Sequence, residues 1–246
     1  MPEPLLIETD GNIAVLTLNR PDKLNAYTVA MGEAVVAAFR EIQLDETIRA
    51  VIVTGAGRGF CSGVDLAALK APPESTGPLP RIGEEDFVRT LPQELLDFPK
   101  PVIAAINGPA IGVGVTMTLP FDLRIAAQGA KLGLTFAKLG ILPGLGSTHL
   151  LPRIVGRATA LELVLTGRVI DAEEALRIGL VHRVVAPDEL LSECRATAMA
   201  LADSQPEVLA AAKRALTFGA EASMADAMAN EQRESTRLRK MRSQKG

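Results

Sequence analysis

The sequence predicts an α/β protein in which short apolar strands alternate with helices and the last part of the chain is helical. Residues 50–54 and 102–106 are apolar except for one threonine and have the length of buried strands. Residues 28–43 show helical spacing of apolar side chains, and residues from about 187 onward lack strand patterning. These three observations place the strands before the C-terminal region, which we expect to be formed by helices.

The first elements are defined by turns as much as by apolar runs. Residues 13–18 follow Asp10-Gly11-Asn12, so a hairpin is expected to lead into an early strand, and residues 19–26 form a polar loop broken by Pro21. The helix over 28–43 has four candidates for its buried side: Val29, Val36, Phe39 and Ile42.

A glycine run, residues 55–59, follows the strand at 50–54 and invites comparison with nucleotide-binding loops. Phe60 stands where the dinucleotide fingerprint has its third glycine, and no Gly-Lys-Ser/Thr follows. We therefore interpret the run as an exit from strand to loop. Residues 71–86 are rich in Pro and Gly, and they form either a mobile lid or an excursion that the surface tolerates.

The chain is organised around residues 100–122, which carry no charge between Lys100 and Asp122. The length alone would suit a membrane span. However, the apolar run 102–106 ends at Asn107-Gly108-Pro109, which is typical of a buried strand entering a tight turn. A helix is expected from Gly112 to near Pro120, so we interpret the stretch as strand, glycine-rich turn and helix.

This turn offers an unpaired backbone donor. The first amides of a helix have no intrahelical partner, and the helix dipole adds partial positive charge there. The amide of Val113 is therefore suited to an oxygen that gains negative charge, and Gly112 and Gly114 have no side chain to block its approach. The alternative is that both glycines only permit close packing of strand on helix.

The second half of the chain continues the same alternation. Residues 122–126 are expected to form a strand, Asp171 to Glu174 a helix-capping box, Gly179 the end of that helix, and residues 181–185 an extended segment. The last sixteen residues, 231–246, carry a net charge of +4, whereas the remainder carries −7. They contain no aromatic residue for stacking on bases, so a solvated helix face is the preferred interpretation.

Composition limits the classes of function. The 246 residues are 48% hydrophobic and 22% charged, as in a globular protein of one large domain, alone or with a small one. A net charge of −3 gives no general attraction to nucleic acid or anionic lipid. Two cysteines and two histidines form no disulfide framework or metal motif. The N-terminus has no signal-peptide pattern, so the expected location is cytoplasmic.

Four motifs, in this order, resemble the enoyl-CoA hydratase/isomerase (crotonase) superfamily, and the resemblance runs from about residue 5 to 215. They are Asn19-Arg20-Pro21-Asp22-Lys23-Leu24-Asn25-Ala26, Gly59-Phe60-Cys61-Ser62-Gly63-Val64-Asp65-Leu66, residues 100–112, and Leu165-Thr166-Gly167 with residues 172–181. The resemblance implies a crotonase-like spiral of ββα units over residues 1–190, a helical C-terminal trimerisation region over residues 191–246, and a homotrimer or a dimer of trimers.

The resemblance also implies an acyl-CoA thioester as partner, with coenzyme A as part of the substrate and no further cofactor, metal, nucleic acid or membrane. The family stabilises a thioester enolate with two backbone amides, which match Val64 and Val113 here. The 3′-phospho-ADP end is then expected near Lys23 and Ala26, and the pantetheine along Cys61, Ser62, Gly63, Val64, Asp65 and Leu66, with Gly112 beside the thioester. We expect Cys61 to be a packed residue and Asp65 to tie its loop to the following helix.

The sequence departs from the family where the family places catalytic carboxylates. The two glutamates of the hydratases match Thr116 and Phe136, and the carboxylate of an isomerase branch matches Gly144. None of these three residues can exchange a proton as a carboxylate does near pH 7. General acid–base groups contribute about 10² to 10⁴ in rate each, so efficient hydration by the usual route is not expected.

Four residues are weaker candidates for a relocated acid or base. Glu84, Glu85 and Asp86 end the loop-like stretch, where carboxylates are usually solvated, and His149 lies near a predicted helix start, where a capping or packing role is common. Three interpretations stay open: an acyl-CoA enzyme with relocated acid–base chemistry (isomerisation, decarboxylation or thioester cleavage), a non-catalytic acyl-CoA-binding protein, and a protein whose trimer surface matters while its pocket is vestigial.

Overall fold

The protein is built from nine short strands and a larger set of helices in the computed structural model, which describes residues 3–70 and 79–245. The strands in this part of the chain are β1 (Leu5–Asp10), β2 (Ile13–Leu18), β3 (Ala50–Gly55), β4 (Val102–Ile106), β5 (Ala110–Ile111), β6 (Leu123–Ala127), β7 (Lys131–Gly133), β8 (Val169–Asp171) and β9 (Arg183–Val185). The helices are α1 (Val29–Leu44), α2 (Leu66–Lys70), α3 (Asp86–Arg89), α4 (Leu91–Asp97), α5 (Val113–Thr116), α6 (Ser147–Val155), α7 (Arg157–Thr166), α8 (Ala172–Arg177), α9 (Leu190–Ala202), α10 (Pro206–Gly219) and α11 (Met224–Lys245). Two 3₁₀ helices span Pro21–Lys23 and Thr135–Leu139.

The main sheet has the order β1-β2-β3-β4-β6-β9, and a smaller one has the order β5-β7-β8. In the main sheet β1 and β2 form an antiparallel hairpin, and every later neighbour pairs in parallel. All residues of β3 and β4 are buried, because both faces of the sheet are covered. Val51 and Val53 join the cluster that contains the buried side of α1, whereas Ile52 and Ile103 pack with residues of α9.

The strand at 13–18 and the helix α1 confirm the predictions made from the Asp-Gly-Asn turn and from helical periodicity. Thr28 caps α1, since its side chain accepts a hydrogen bond from the amide of Met31 at 3.3 Å. The four residues predicted for its inner side are all buried: Val29, Val36, Phe39 and Ile42. The apolar spacing therefore identified the correct face of the helix.

The stretch 100–122 forms β4, β5 and α5 in sequence, as the strand–turn–helix interpretation requires. The helix is shorter than expected, because it ends at Thr116, four residues before Pro120. Thr118 and Leu119 instead donate to the carbonyls three residues earlier, at 3.0 and 3.3 Å, which tightens the chain into turns. In the part of the chain described here, no helix has the length and apolar character needed to cross a bilayer.

The predicted capping box at the start of α8 forms only in part. Asp171 accepts a hydrogen bond from the amide of Glu174 at 2.8 Å. Glu174 does not complete the box, because its carboxylate pairs with Arg168 at 2.6 Å. Asp171 is therefore a helix cap, whereas Glu174 is bound to the guanidinium group of Arg168. The local spacing of the motif does not indicate this ion pair.

The C-terminal region is helical, as predicted, and its helices pack in two ways. α9 lies against the main sheet, whereas α10 and α11 pack against each other and are joined by the ion pair of Arg214 with Glu234 at 2.7 Å. The predicted boundary between residues 190 and 191 falls at the start of α9 and stays a prediction. The basic run belongs to α11, and most of its side chains are exposed.

The loop-like stretch is only partly covered. Residues 71–78 lie outside the described residues, residues 79–85 contain no helix or strand, and α3 begins at Asp86.

Candidate active site

A cavity of about 390 Å³ lies where the loops after β3 and β4 meet α5. Its wall also includes the 3₁₀ helix Thr135–Leu139, residues 141–145 and the pair Ile82 and Gly83. Most of these side chains are aliphatic or aromatic, as is common for sites that bind organic ligands.

Two backbone segments from distant parts of the chain run side by side at this cavity. The amide of Cys61 donates to Pro109 at 3.0 Å, and the amide of Ile111 donates to the carbonyl of Cys61 at 2.9 Å. These two bonds form an isolated parallel bridge between the loop after β3 and strand β5. The bridge brings residues 61–64 next to residues 110–113.

Val64 pairs with the segment around Tyr27, and the amide of Val64 points away from that segment. Tyr27 donates its amide to Gly63 at 2.8 Å and accepts from the amide of Asp65 at 2.9 Å. In a parallel bridge, the residue between two bonded neighbours points its own amide to the opposite side. The amide of Val64 has no hydrogen-bond partner among the described residues, and Val64 lines the cavity.

Val113 carries a second unpaired amide, and the residue lines the same cavity. It is the first residue of α5, where helix amides have no intrahelical acceptor. Its amide has no hydrogen-bond partner in the described part of the chain, whereas the amide of Gly112 is bound to Gly133 at 2.7 Å. Val64 and Val113 therefore offer two unpaired donors on the wall of one cavity.

The two glycines of this turn have different roles, and the alternative of close packing applies to Gly114. Gly112 has φ = 54°, and a Cβ there would make only ordinary contacts, with the ring of Phe136 at 3.7 Å and the Cα of Gly63 at 4.0 Å. Gly112 is therefore required for its backbone conformation. Gly114 has no such φ, but a Cβ there would lie 2.2 Å from the carbonyl oxygen of Cys61. Gly114 is required for close packing of α5 against the loop after β3.

Asn25 connects the first motif to the glycine run. It is completely buried, its side-chain amide donates to the carbonyls of Ala56 at 3.0 Å and Gly59 at 2.8 Å, and its oxygen accepts from the amide of Arg20 at 2.8 Å. A Cβ on Gly55 would lie 2.2 Å from the carbonyl oxygen of Gly59. These glycines serve a tight backbone crossing, in agreement with the interpretation as a strand exit. No local pattern in the sequence indicates this role of Asn25.

Lys23 and Ala26 lie beside the loop after β3 and are not among the residues that line the cavity. The carbonyl of Lys23 accepts a hydrogen bond from the hydroxyl of Ser62 at 3.0 Å. Arg20 donates to the carbonyl of Ala26 at 2.5 Å. Lys23 is therefore bound directly to the segment that carries Val64, and Ala26 is connected to it through Arg20, which pairs with Asp65 at 2.9 Å.

Cys61 and Asp65 have structural contacts. Burial raises the pKa of the Cys61 thiol to about 12, so it is a protonated, packed side chain at neutral pH. Asp65 forms an ion pair with Arg20 at 2.9 Å and accepts from the amide of Ala67 at 3.0 Å. Arg20 lowers the pKa of Asp65, and the contact with Ala67 ties the loop to α2, which begins at Leu66.

The three positions that match the family carboxylates all line this cavity: Thr116, Phe136 and Gly144. Thr116 is completely buried, and its hydroxyl has no hydrogen-bond partner among the described residues. Phe136 is 7% exposed and packs beside Gly112. Apart from Tyr27, no ionisable side chain is found among the lining residues that the structure describes.

The four weaker acid–base candidates do not line the cavity in the described residues. Asp86 pairs with Arg40 at 2.9 Å, Glu84 is exposed, and His149 pairs with Glu221 at 2.7 Å. The expectation of a solvated loop carboxylate is wrong for Glu85, which is 1% exposed.

Glu85 is buried because two groups bind its carboxylate. The hydroxyl of Tyr27 donates to Oε1 at 2.5 Å, and the amide of Gly83 donates to Oε2 at 2.6 Å. Burial, and then Glu85, raise the pKa of Tyr27, so its hydroxyl stays protonated. Tyr27 and Gly83 line the cavity, so both hydrogen bonds to Glu85 come from residues of the cavity wall. The sequence contains no local signal that joins residues 27 and 85.

No group of His, Cys, Asp or Glu side chains suited to hold a metal ion is found within residues 3–70 and 79–245.

Comparison with known proteins agrees with the motifs and the fold. The enoyl-CoA hydratase/isomerase family matches residues 8–246. The chain is 39% identical to 1,2-epoxyphenylacetyl-CoA isomerase of Escherichia coli over 97% of its own length and 90% of the relative. It is 38% identical to (E)-benzylidenesuccinyl-CoA hydratase of Thauera aromatica, over 88% and 83% of the two chains.

Solved structures give the same result. An enoyl-CoA hydratase from Bacillus anthracis superposes with a TM-score of 0.87 at 32% identity, over 98% of this chain and 96% of that chain. A monofunctional enoyl-CoA isomerase from M. smegmatis superposes with a TM-score of 0.77 at 34% identity, over 92% and 98%. The chain belongs to the enoyl-CoA hydratase/isomerase family and has the crotonase fold, with a helical C-terminal region.

Proposed function

We propose that the protein binds an acyl-CoA thioester with the carbonyl oxygen at the amides of Val64 and Val113 and stabilises the enolate that forms from it. The observation that carries this proposal is the convergence of two unpaired amides on the wall of one largely apolar cavity. Two donors aimed at a developing oxyanion contribute several kcal/mol in a site that excludes water, at roughly 3 kcal/mol for each donor.

The described residues of the cavity wall carry no charged side chain, and this restricts the reaction. Hydration needs groups that position water and exchange protons, and Thr116, Phe136 and Gly144 supply no carboxylate for this purpose. The protonated hydroxyl of Tyr27 is already bound to Glu85. The reactions that suit such a cavity are those in which the enolate forms without a strong base on the protein.

The alternative is an acyl-CoA-binding protein without turnover. The same observation supports this alternative. Two unpaired amides without acid–base groups can bind an enolate-like ligand whether or not the ligand then reacts. Binding and turnover therefore have to be measured on the same samples.

The test is incubation with a panel of acyl-CoA thioesters, followed by calorimetry for binding and mass spectrometry for products. We expect binding of acyl-CoA with dissociation constants in the micromolar range and slow or no hydration of crotonyl-CoA. Binding with product formation supports an enzyme, and binding without any product supports the alternative. If no acyl-CoA binds more tightly than free coenzyme A, the proposed site is wrong.

We also propose that the protein assembles as a homotrimer or a dimer of trimers. Large apolar side chains are exposed around the 3₁₀ helix Thr135–Leu139 and the neighbouring helix α7. Among them, Leu142 is 82% exposed and Leu165 is 70% exposed. Exposed apolar groups of this kind often mark subunit contacts. Light scattering coupled to gel filtration at micromolar concentration tests this, and a monomeric mass contradicts it.

A further inference from the structure

The hydroxyl of Thr116 differs from other buried threonine hydroxyls of the protein. Thr54 donates to the carbonyl of Ala105 at 3.0 Å, and Thr118 donates to Val115 at 2.8 Å. Thr116 is as deeply buried as these two residues, yet its Oγ1 has no partner among the described residues. An unpaired buried polar group is costly, so a residue of this kind on a cavity wall points to a ligand that supplies the missing bond.

The place of Thr116 on α5 determines which part of a ligand it meets. Thr116 lies three residues after Val113, so the two residues share one face of the helix, about 4.5 Å apart along its axis. Helical side chains lean toward the N-terminus, which brings the Thr116 hydroxyl toward the amide of Val113. A thioester oxygen held at that amide leaves the hydroxyl beside the first carbons of the acyl chain.

The described residues of the cavity wall carry no charged side chain, and this limits the acyl groups that can form an enolate there. A thioester with one carbonyl holds its C2 protons firmly, and no lining carboxylate or imidazole is present in the described residues to remove them. A second carbonyl on the β-carbon makes the C2 protons much more acidic, because the charge of the enolate is shared by two oxygens. Such an acyl group needs two hydrogen-bonding sites and no strong base on the protein.

We infer that the acyl group is a 3-oxoacyl group, bound with its thioester oxygen at the amides of Val64 and Val113 and its 3-oxo oxygen at the hydroxyl of Thr116. This inference rests on the proposed function and specifies its substrate class. When the bound ligand ionises, the C2–H bond breaks and the proton passes to solvent water. The electron pair is shared by the two oxygens, one held by the amides and one by the hydroxyl.

The experiment compares acetoacetyl-CoA with butyryl-CoA, which lacks only the 3-oxo oxygen. Calorimetry gives the dissociation constants, mass spectrometry confirms that the ligands stay intact, and ultraviolet difference spectra detect the enolate. We expect the parent protein to bind acetoacetyl-CoA about tenfold more tightly than butyryl-CoA, the factor expected for one hydrogen bond to a charged acceptor. We also expect the enolate band to increase on binding.

Variants separate the hydroxyl from general effects on the cavity. Thr116→Val keeps the shape of the side chain and should reduce the preference for acetoacetyl-CoA to less than about threefold and remove the enolate band. Thr116→Ser keeps the hydroxyl and should retain both. Thr118→Val is the matched control, because Thr118 is a buried threonine whose hydroxyl is bound to Val115 and which is not among the residues that line the cavity. It should leave the preference unchanged.

The outcomes distinguish this inference from the proposed function. If the parent binds both ligands equally, or if Thr116→Val keeps the tenfold preference, the 3-oxoacyl assignment is overturned while the acyl-CoA site stands. The first of these comparisons uses only the parent protein, so it holds even if a variant fails to fold. If the parent binds neither ligand, both the proposed function and this inference are wrong.

Discussion

The cavity has two walls that differ in the chemical groups they present. One wall is made of backbone, in which Val64 and Val113 present amides held by the bridge of Cys61 with Ala110. The other wall is made of side chains, among them Thr116, Phe136 and Gly144, the three positions at which the family resemblance predicts carboxylates. The two unpaired amides of the backbone wall agree with the proposed oxyanion site, whereas the side-chain wall has no carboxylate among its described residues.

The difference shows why an oxyanion site and its acid–base partners need not change together. Donors supplied by the backbone depend on strand pairing and on glycines such as Gly112 and Gly114, so altering them costs folding energy. A carboxylate on a cavity wall depends on one side chain and can be replaced with little effect on the fold. The binding geometry is therefore built into the fold, and the chemistry is decided by a few side chains.

The largest expected effect comes from breaking the backbone wall with Gly112→Pro. Gly112 has φ = 54°, whereas proline requires about −65°, and the bond from its amide to Gly133 at 2.7 Å is lost. We expect acyl-CoA binding to weaken at least about a hundredfold, which corresponds to about 3 kcal/mol. Calorimetry measures binding, and circular dichroism measures the folded fraction.

Gly140→Ala is the control for this variant. Gly140 also has a positive φ, of 68°, but a Cβ there meets no atom within 4 Å. It therefore tests backbone strain outside the turn, and binding should stay within about threefold of the parent. A folded Gly112→Pro protein that binds acyl-CoA as tightly as the parent would show that the oxyanion site is wrongly placed.

The second prediction concerns the support behind the cavity. Tyr27→Phe removes the hydroxyl that donates to Glu85 and leaves a buried carboxylate with fewer partners. We expect a loss of about 1 to 3 kcal/mol in the free energy of unfolding, measured with urea. Glu85→Gln keeps an acceptor for Tyr27 and should lose less. Equal stability of Tyr27→Phe and the parent would mean that this hydrogen bond does not support the wall.

The third prediction sharpens the comparison by restoring the side-chain wall. The double variant Thr116→Glu with Phe136→Glu should hydrate crotonyl-CoA at least about tenfold faster than the parent, a small part of what two acid–base groups can supply. The effect is limited because Phe136 is 7% exposed, and burial raises the pKa of a carboxyl placed there. Product formation is followed by mass spectrometry.

The matched control is the double variant with glutamine at both positions, because glutamine has the size of glutamate but no acidic proton. Its rate of crotonyl-CoA hydration should equal that of the parent. A parent protein that already hydrates crotonyl-CoA at the rate of the double variant would show that its acid and base lie elsewhere, and Glu84, Glu85, Asp86 and His149 would then be the first residues to replace.

The smallest expected effect is that of Asp65→Asn, which loosens the loop carrying Val64. Arg20 lowers the pKa of Asp65 in the folded protein, so the carboxylate stabilises the fold above its unfolded pKa of about 3.9. This stability is lost as the pH falls through the lower, folded pKa. We expect Asp65→Asn to lose at most about 1 kcal/mol at pH 7, as for other partly exposed ion pairs, and to lose less on acidification than the parent.

Urea unfolding at pH 7 and near pH 3 measures this difference. Asp22→Asn is the control, because Asp22 is an exposed residue of the neighbouring 3₁₀ helix. If Asp65→Asn shows the same acid-dependent loss of stability as the parent, the ion pair with Arg20 does not contribute to the pH dependence.

The longer elements could be predicted from the sequence because their signals are local. β2 follows from the Asp-Gly-Asn turn before it, and α1 follows from its helical periodicity. The break of the stretch 100–122 follows from its Asn-Gly-Pro turn. The short strands β5, β7 and β8 contain two or three residues each, too few to produce a pattern. They form because neighbouring segments supply the hydrogen bonds.

By itself, the sequence determined the strand and helix runs, the glycine-bearing loops and the presence of Thr116, Phe136 and Gly144 at positions where the family resemblance predicts carboxylates. Only the tertiary structure decided that these three positions share one cavity with the amides of Val64 and Val113, and that Glu85 is buried by Tyr27 rather than solvated. The physical reason is distance along the chain. Parallel pairing of β3 with β4 brings together the loops that follow them, and contacts between segments about 50 residues apart depend on this pairing and on packing, which no local pattern records.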